Sequence, residues 1–302
     1  MATNHTVPPS YDPGFSQLCM WEPKSWLPGH NIKVFLMIPP TTNIFFYRRV
    51  AMIVEKAART WELYANIKFD FVTHRKSSEI RVLLCRIPQS RLVSGASVIG
   101  NDSTLLEKDK PTMFLGAGSR AESSRIRSTA LHEFGHALGM IHEHTSPACK
   151  IEWNKNAVLN ASHGDRKKAD LNYLLQVDKS KVRCSKYDPK SIMVYNVPFN
   201  LMKNRVRTMR GRDLSDMDKE WASKFYPRKP STPNTKIKSS TSKTKIKLST
   251  PKPKIKFNQH SPHKTPKEFR CSADNCGPRR QCDKCYEKMK AECQEASITM
   301  ET

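Results

Sequence analysis

The chain has 302 residues, a hydrophobic fraction of 37% and a formal net charge of +24. That length allows one medium catalytic domain with extensions or two small domains, and the low apolar fraction implies that part of the chain does not pack. Nothing approaches the roughly 18 consecutive apolar residues of a membrane span, and Met1 to Asp12 has neither a cationic start nor an apolar run of signal-peptide length, so neither a span nor a cleavable secretory signal is expected.

Residues 1–25 are Pro-rich and polar and read as a loosely ordered extension. From Trp26 the pattern changes. Ile32 to Ile38 is apolar enough for a buried strand, which Pro39-Pro40 stops. Phe46 to Tyr64 reads as an amphipathic helix, with Val50, Ile53, Val54, Ala57, Ala58 and Trp61 at three- and four-residue steps. Ile67 to Val72 alternates like a half-buried strand, and Glu79 to Leu84 is a third strand. Pro111 to Gly116 is a short fourth strand whose leading Pro suits a sheet edge. A helix follows from Ser123 or Ser124, through Ile126, Ala130, Leu131, Phe134 and Leu138. A last helix starts at Ser215, with Asp218 three residues on, and Tyr226-Pro227 ends it. The order predicts an α+β domain over residues 26–227, a mixed sheet with helices packed on it and an irregular stretch after Gly139.

Residues 228–270 hold 13 Lys+Arg against one acidic residue, about half of the whole charge excess. Within them Thr235-Lys236-Ile237-Lys238 returns as Thr244-Lys245-Ile246-Lys247 and as Pro253-Lys254-Ile255-Lys256. One isoleucine per nine residues cannot build a core, so this is expected to be a disordered basic tail. Polyanions are its expected non-specific partners. Residues 271–302 form a small Cys-rich segment with Cys271, Cys276, Cys282, Cys285 and Cys293. A structural zinc site, a disulfide-stapled knob and unpaired thiols all remain open for it.

The chemistry lies in the segment from His132 to His142. On a helix, His132 and His136 leave the same face and can converge on one metal ion. Glu133 sits beside the first of them, where a general base for peptide hydrolysis is needed. Gly139, three residues after His136, can take a left-handed conformation and end the helix. The chain can then turn back so that His142 offers a third ligand. Three neutral imidazoles leave a fourth position of a zinc ion open, as catalysis requires. Chance would produce this full pattern in about one chain in 100,000 of this length, so it outweighs a helix of incidental core histidines.

The run H-E-F-G-H-A-L-G-M-I-H-E resembles the zinc-binding consensus of the metzincins, and more narrowly of the astacin family, where glutamate (here Glu143) follows the third histidine. Ser191-Ile192-Met193-Val194-Tyr195 is similar to the astacin Met-turn. Leu214-Ser215-Asp216-Met217-Asp218 is similar to the start of the family's last catalytic-domain helix. The resemblance implies a zincin fold and a zinc-dependent endopeptidase with one catalytic zinc, acting on protein or peptide substrates; a monomer is expected. It implies that Met193 forms a hydrophobic floor under the imidazoles. It also implies that Tyr195 is a distant fifth ligand that swings to the transition-state oxyanion. The strand at Thr112–Leu115 would hold extended substrate. Secretion is the family's implication for compartment. Two rivals are a matrixin-like metzincin, which Tyr195 and Glu143 disfavour, and a polyanion-binding protein on a zincin scaffold. The chain departs from the family at Ser146, where an arginine is usual, and shows no propeptide with the family's aspartate switch. Cys149 and Cys184 flank the irregular segment and form a candidate disulfide. Cys19 could cap the zinc as an inhibitory thiolate, but is read as a buried or incidental thiol. His144 is read as a surface or neighbouring residue rather than a ligand. Asn196, Val197, Pro198 and Phe199 are candidate pocket walls.

Overall fold

The computed structural model describes residues 19–39, 43–145, 151–174, 180, 182–184, 188, 190–194, 197–205, 208 and 211–228. Ser146, Cys149, Tyr195, Asn196, the tail beyond residue 228 and the C-terminal cysteine cluster lie outside the described residues.

A five-stranded sheet in the order β3-β2-β4-β6-β5 frames the domain. It consists of β2 (Asn31–Met37), β3 (Lys68–Phe71), β4 (Ile80–Ile87), β5 (Val93–Ser97) and β6 (Met113–Gly118). All pairings are parallel except β5–β6, so β5 is an antiparallel edge. Helices α1 (Ile44–Trp61) and α2 (Ser123–Ala137) share one core with the sheet. Ile32, Val34, Val82, Leu84, Met113 and Leu115 supply the strand side of it, as a two-residue period requires. Met37, Leu83, Cys85, Ala96 and Phe114 form a smaller cluster on the alternate positions. The expected mixed sheet with packed helices is therefore present.

The expected substrate edge is not where the sequence placed it. The strand led by Pro111 runs between β4 and β5 and is paired on both sides. The sheet's edges are β3 and β5, and β5, Val93-Ser94-Gly95-Ala96-Ser97, carries one β-branched residue and no aromatic one. Its small polar side chains give no strand signal, and only pairing with β6 makes it a strand. Helix α2 begins at Ser123 as expected, but the residue before it is Glu122, which makes no side-chain cap bond.

Residues 19–25, expected to be loose, are built into the domain. β1 (Cys19–Trp21) pairs antiparallel with β7 (Val182–Cys184). Met20 also bridges to Met140, and the Trp21 N–H donates to the Gly139 carbonyl at 2.9 Å. The register sets Cys19 opposite Cys184, and these two form a disulfide across 165 residues of sequence. This replaces the Cys149–Cys184 pairing and removes Cys19 as a thiolate, because its sulfur is covalently engaged. Lys24 is buried with its ammonium 2.7 Å from Asp102.

Between the zinc-helix turn and the last helix lie α3 (Lys155–Ala161), the single turn α4 (Arg166–Ala169) and a satellite core of Val158, Ala169, Val197, Leu201 and Met202. Helix α5 (Asp216–Phe225) closes the domain with the expected capping box between Ser215 and Asp218.

Closing a loop this long with a disulfide is worth about 5 kcal/mol in the chain-entropy limit, and measured losses run to about 2–5 kcal/mol. Cys184→Ser should therefore lower unfolding free energy by about 2–5 kcal/mol in urea. An unchanged urea midpoint with an unchanged slope would refute the bond's contribution.

Candidate active site

Helix α2 carries His132, Glu133 and His136 into the interior, where all three are buried. Three side-chain donors hold carbonyls at its C-terminal half from outside. Trp61 Nε1–H donates to the Leu131 carbonyl at 3.1 Å, Trp26 Nε1–H to that of Ala137 at 2.7 Å, and the Tyr226 hydroxyl to that of Leu138 at 2.5 Å. The last two satisfy carbonyls that a helix end otherwise leaves bare. Gly139 then has φ +95°, and the Met140 N–H returns to the Gly135 carbonyl at 3.0 Å. A Cβ on Gly139 would also crowd the Met20 sulfur. β1 holds the turn from the other side, since the Ile141 N–H donates to the Cys19 carbonyl at 3.0 Å. His142 leaves this pinned turn toward the helix.

The three Nε2 atoms of His132, His136 and His142 lie 3.0, 3.1 and 3.2 Å apart. Zn–N bonds of about 2.0–2.1 Å in a tetrahedral shell place nitrogens about 3.3 Å apart, so the triangle fits a zinc ion closely. The ring protons agree. His132 Nδ1–H faces the Ile192 carbonyl at 2.7 Å and His136 Nδ1–H that of Met140 at 2.8 Å. With Nδ1 as donor, the neutral ring presents its Nε2 lone pair, which is the metal-binding tautomer.

Under the helix lies Met193, fully buried, in a turn that includes Ile192 and Val194. A Cβ on Gly135 would run into the Met193 sulfur, so the glycine between Glu133 and His136 is what lets this turn approach. Asp218 fastens the turn. Its carboxylate accepts from Ser191 Oγ–H at 2.7 Å, from the Ile192 N–H at 2.9 Å and from the Ser215 N–H at 2.9 Å. Burial nevertheless pushes the Asp218 carboxyl above its ordinary pKa, the three hydrogen bonds offsetting part of that.

Glu143 is buried, with no cationic side chain paired to it among the described residues. Burial pushes its pKa well up, and the charges of Asp218 and Asp188 add to this. A carboxyl raised in this way favours the fold while protonated, and that contribution is lost as pH rises through the folded value. His144 is buried, not on the surface, and stacks on His142 with ring centroids 5.0 Å apart. Of the candidate pocket walls, Val197 is packed in the satellite core, whereas Phe199 is exposed.

One functional position is not legible in the sequence. A Cβ on Gly95 of β5 would collide with the Glu133 carboxylate. The edge strand and the acid are thus in contact only because residue 95 has no side chain. A glycine inside a strand is the signal for such a close approach, but it can be used only once β5 is known to be a strand.

The Astacin peptidase-family model matches residues 42–221. The chain belongs to the astacin family. Among solved structures, one of myroilysin is 30% identical with a TM-score of 0.61, covering 70% of this chain and 99% of its own. A second structure of myroilysin is 31% identical at 0.50, covering 68% and 86%. High choriolytic enzyme 1, a hatching enzyme zinc-protease from the medaka fish Oryzias latipes, is 16% identical at 0.42, covering 65% and 90%. No curated protein matches the chain. This astacin is a zinc-dependent endopeptidase whose substrates are proteins or peptides, and His132, His136 and His142 are placed to bind its one catalytic zinc. The polyanion-scaffold and matrixin-like alternatives are not favoured. Among the described residues no helix is long and apolar enough to cross a membrane.

The path from Asp218 through the Ile192 carbonyl to His132 has a measurable consequence. Asp218→Ala should weaken zinc affinity by about 10- to 100-fold, as removal of ligand-orienting partners does. It should also cost about 3 kcal/mol or more by leaving three buried donors unpaired. Chelator competition on the folded variant checks the first figure; unchanged affinity there would break the path.

Proposed function

We propose that this astacin cleaves extended segments of proteins, with Glu133 as general base and β5 as the strand that holds the substrate. The observation that carries the reading is the packing of the Glu133 carboxylate against Gly95. The acid sits on the helix that also carries His132 and His136 and touches the edge strand β5. An extended peptide adding to that edge would have its backbone hydrogen-bonded by the strand and one peptide bond level with Glu133.

When bound by His132, His136 and His142, zinc supplies Lewis acidity, acidifying water and polarising the scissile carbonyl. Glu133 takes the proton from the attacking water and returns it to the leaving amine. Its burial keeps bulk water from competing for that proton. Met193 is proposed as the apolar floor that sets the height of the imidazoles, supported by its contact with α2 at Gly135. Tyr195 is proposed as an oxyanion donor on the family resemblance alone. Glu143 is proposed to meet the ammonium of a trimmed N-terminus, a reading supported by its burial without a cationic partner among the described residues.

Secretion into an oxidising compartment is the proposed localisation, supported by the Cys19–Cys184 disulfide. A monomer is proposed, with the basic tail as a non-specific polyanion contact supported by its charge.

Glu133→Ala should abolish proteolysis of a denatured protein while zinc content stays at one per chain; full activity in this variant would refute the general-base role. Gly95→Ala should act through Glu133. A displacement of about 1 Å at a catalytic group can cost roughly 100-fold, so kcat should fall by about that factor with zinc retained. A variant with native kcat would sever the link between strand and base.

A further inference from the structure

Helix α1 uses one side to fold and turns the other to water. Tyr47, Val50, Ala51, Val54, Ala57 and Ala58 are buried. Ile44, Phe45, Arg48, Arg49, Met52 and Lys56 are exposed. The one acidic residue of the helix, Glu55, is buried and lies 3.0 Å from the Arg59 guanidinium. No carboxylate of α1 therefore offsets the charge of its outer face. A basic face interleaved with large apolar side chains has the pattern of a helix that rests on a membrane surface.

Two further segments widen this face around the first turns of α1. The Arg49 guanidinium donates to the Ala121 carbonyl at 2.9 Å, which brings in the stretch from the end of β6 into α2. The Arg86 guanidinium sits 5.8 Å over the Phe46 ring, which brings in the end of β4 and the Pro88–Leu92 turn after it. These two segments are tied to each other. Arg120 N–H donates to the Ser90 carbonyl at 2.9 Å, and Gly118 N–H to that of Leu92 at 2.7 Å. They add the exposed Arg91, Arg120 and Arg125, and Glu122 is the one exposed carboxylate of all three segments. They also add a second large apolar side chain in water, Leu92, 64% exposed beside the 82% of Phe45.

The two chemistries together select the partner. A hydrated polyanion would satisfy the guanidiniums and leave Phe45 and Leu92 in water. A bilayer of anionic phospholipid takes both. Its phosphates accept from guanidiniums in pairs, and the acyl boundary receives apolar side chains. The long arginine stems let the charged heads stay at headgroup level while their neighbours enter. We propose that the outer side of α1, the Pro88–Leu92 turn and the Arg120–Arg125 stretch form a docking face for anionic phospholipid membranes, with Phe45 and Leu92 as the inserted side chains. The attachment is peripheral, needing no spanning helix.

The test uses the full chain and vesicles of phosphatidylcholine with phosphatidylserine. The basic tail can also meet a charged vesicle, so the decisive readout is local. A tryptophan is placed by Phe45→Trp or, as a control, by Leu105→Trp. Leu105 is 70% exposed and belongs to the other end of the sheet, where the Arg81 guanidinium donates to the Leu106 carbonyl at 3.4 Å. From Arg81 to Arg86 the strand runs about 17 Å. With brominated phosphatidylcholine in the vesicles, the emission added by Phe45→Trp should be lost, and that added by Leu105→Trp should persist. Equal quenching at both positions, or quenching at neither, overturns the docking face.

Sedimentation with the same vesicles checks the two chemistries separately. Arg91→Gln, Arg120→Gln should weaken binding at low salt by about 25-fold, roughly fivefold for each arginine near an anionic surface. Phe45→Ser, Leu92→Ser should weaken it by about tenfold or more. Cleavage of a soluble peptide, unchanged in both variants, reports that they are folded. If the serine variant binds vesicles like the wild type while the arginine variant loses retention on heparin, the face is a general polyanion contact and the proposal fails.

Discussion

The contact on which the rest depends is the hydrogen bond from His132 Nδ1–H to the Ile192 carbonyl, 2.7 Å long. It fixes the tautomer of a ligand and ties the zinc helix to a turn 60 residues away in sequence. That turn has little regular structure of its own. Asp218 supplies its rigidity, by accepting from Ser191 and Ile192 while also closing the capping box of α5. A buried carboxylate accepting three hydrogen bonds is strong where its donors cannot move, and weak elsewhere. Here helix, turn and cap restrain one another.

The third ligand is held by a different device. His142 lies beyond the end of α2, and the segment between is kept in place by strand pairing rather than by helix. β1 makes that pairing, and β1 is itself only three residues long. So short a strand cannot persist alone. Its partner β7 and the Cys19–Cys184 bond give it a second anchor. Covalent closure of a long loop thus serves a local purpose, holding a hydrogen-bonded prop under the residues between His136 and His142.

How far the site can be read from sequence follows from this division. His132, Glu133, His136, Gly139 and His142 are legible because helical spacing and one left-handed glycine dictate where they go. Ser215 and Asp218 are legible as a cap, which is a local pattern. The second task of Asp218, gripping the Met-turn, is not, because its partners are 26 and 27 residues away. β5 and β1 leave no mark in composition. Ser-Gly-Ala-Ser becomes a strand only beside β6, and Cys-Met-Trp only beside β7 and Met140. The partner of Cys184 is hidden for the same reason: proximity in sequence favours Cys149, whereas the pairing of two short strands decides it.

The glycines show how tightly the parts are set. Gly95, Gly135 and Gly139 each face a specific atom group: the Glu133 carboxylate, the Met193 sulfur and the Met20 sulfur. Two of the three stand inside regular elements, where glycine costs about 0.5–1 kcal/mol relative to alanine. That cost makes sense only if close approach is worth more. At Gly135 the gain is apolar contact beneath the metal ligands. At Gly95 no hydrophobic area justifies it, since the neighbour is a carboxylate. What the missing side chain secures there is the place of an acid against an edge strand, the point at which, under the proposed function, substrate backbone and general base would meet.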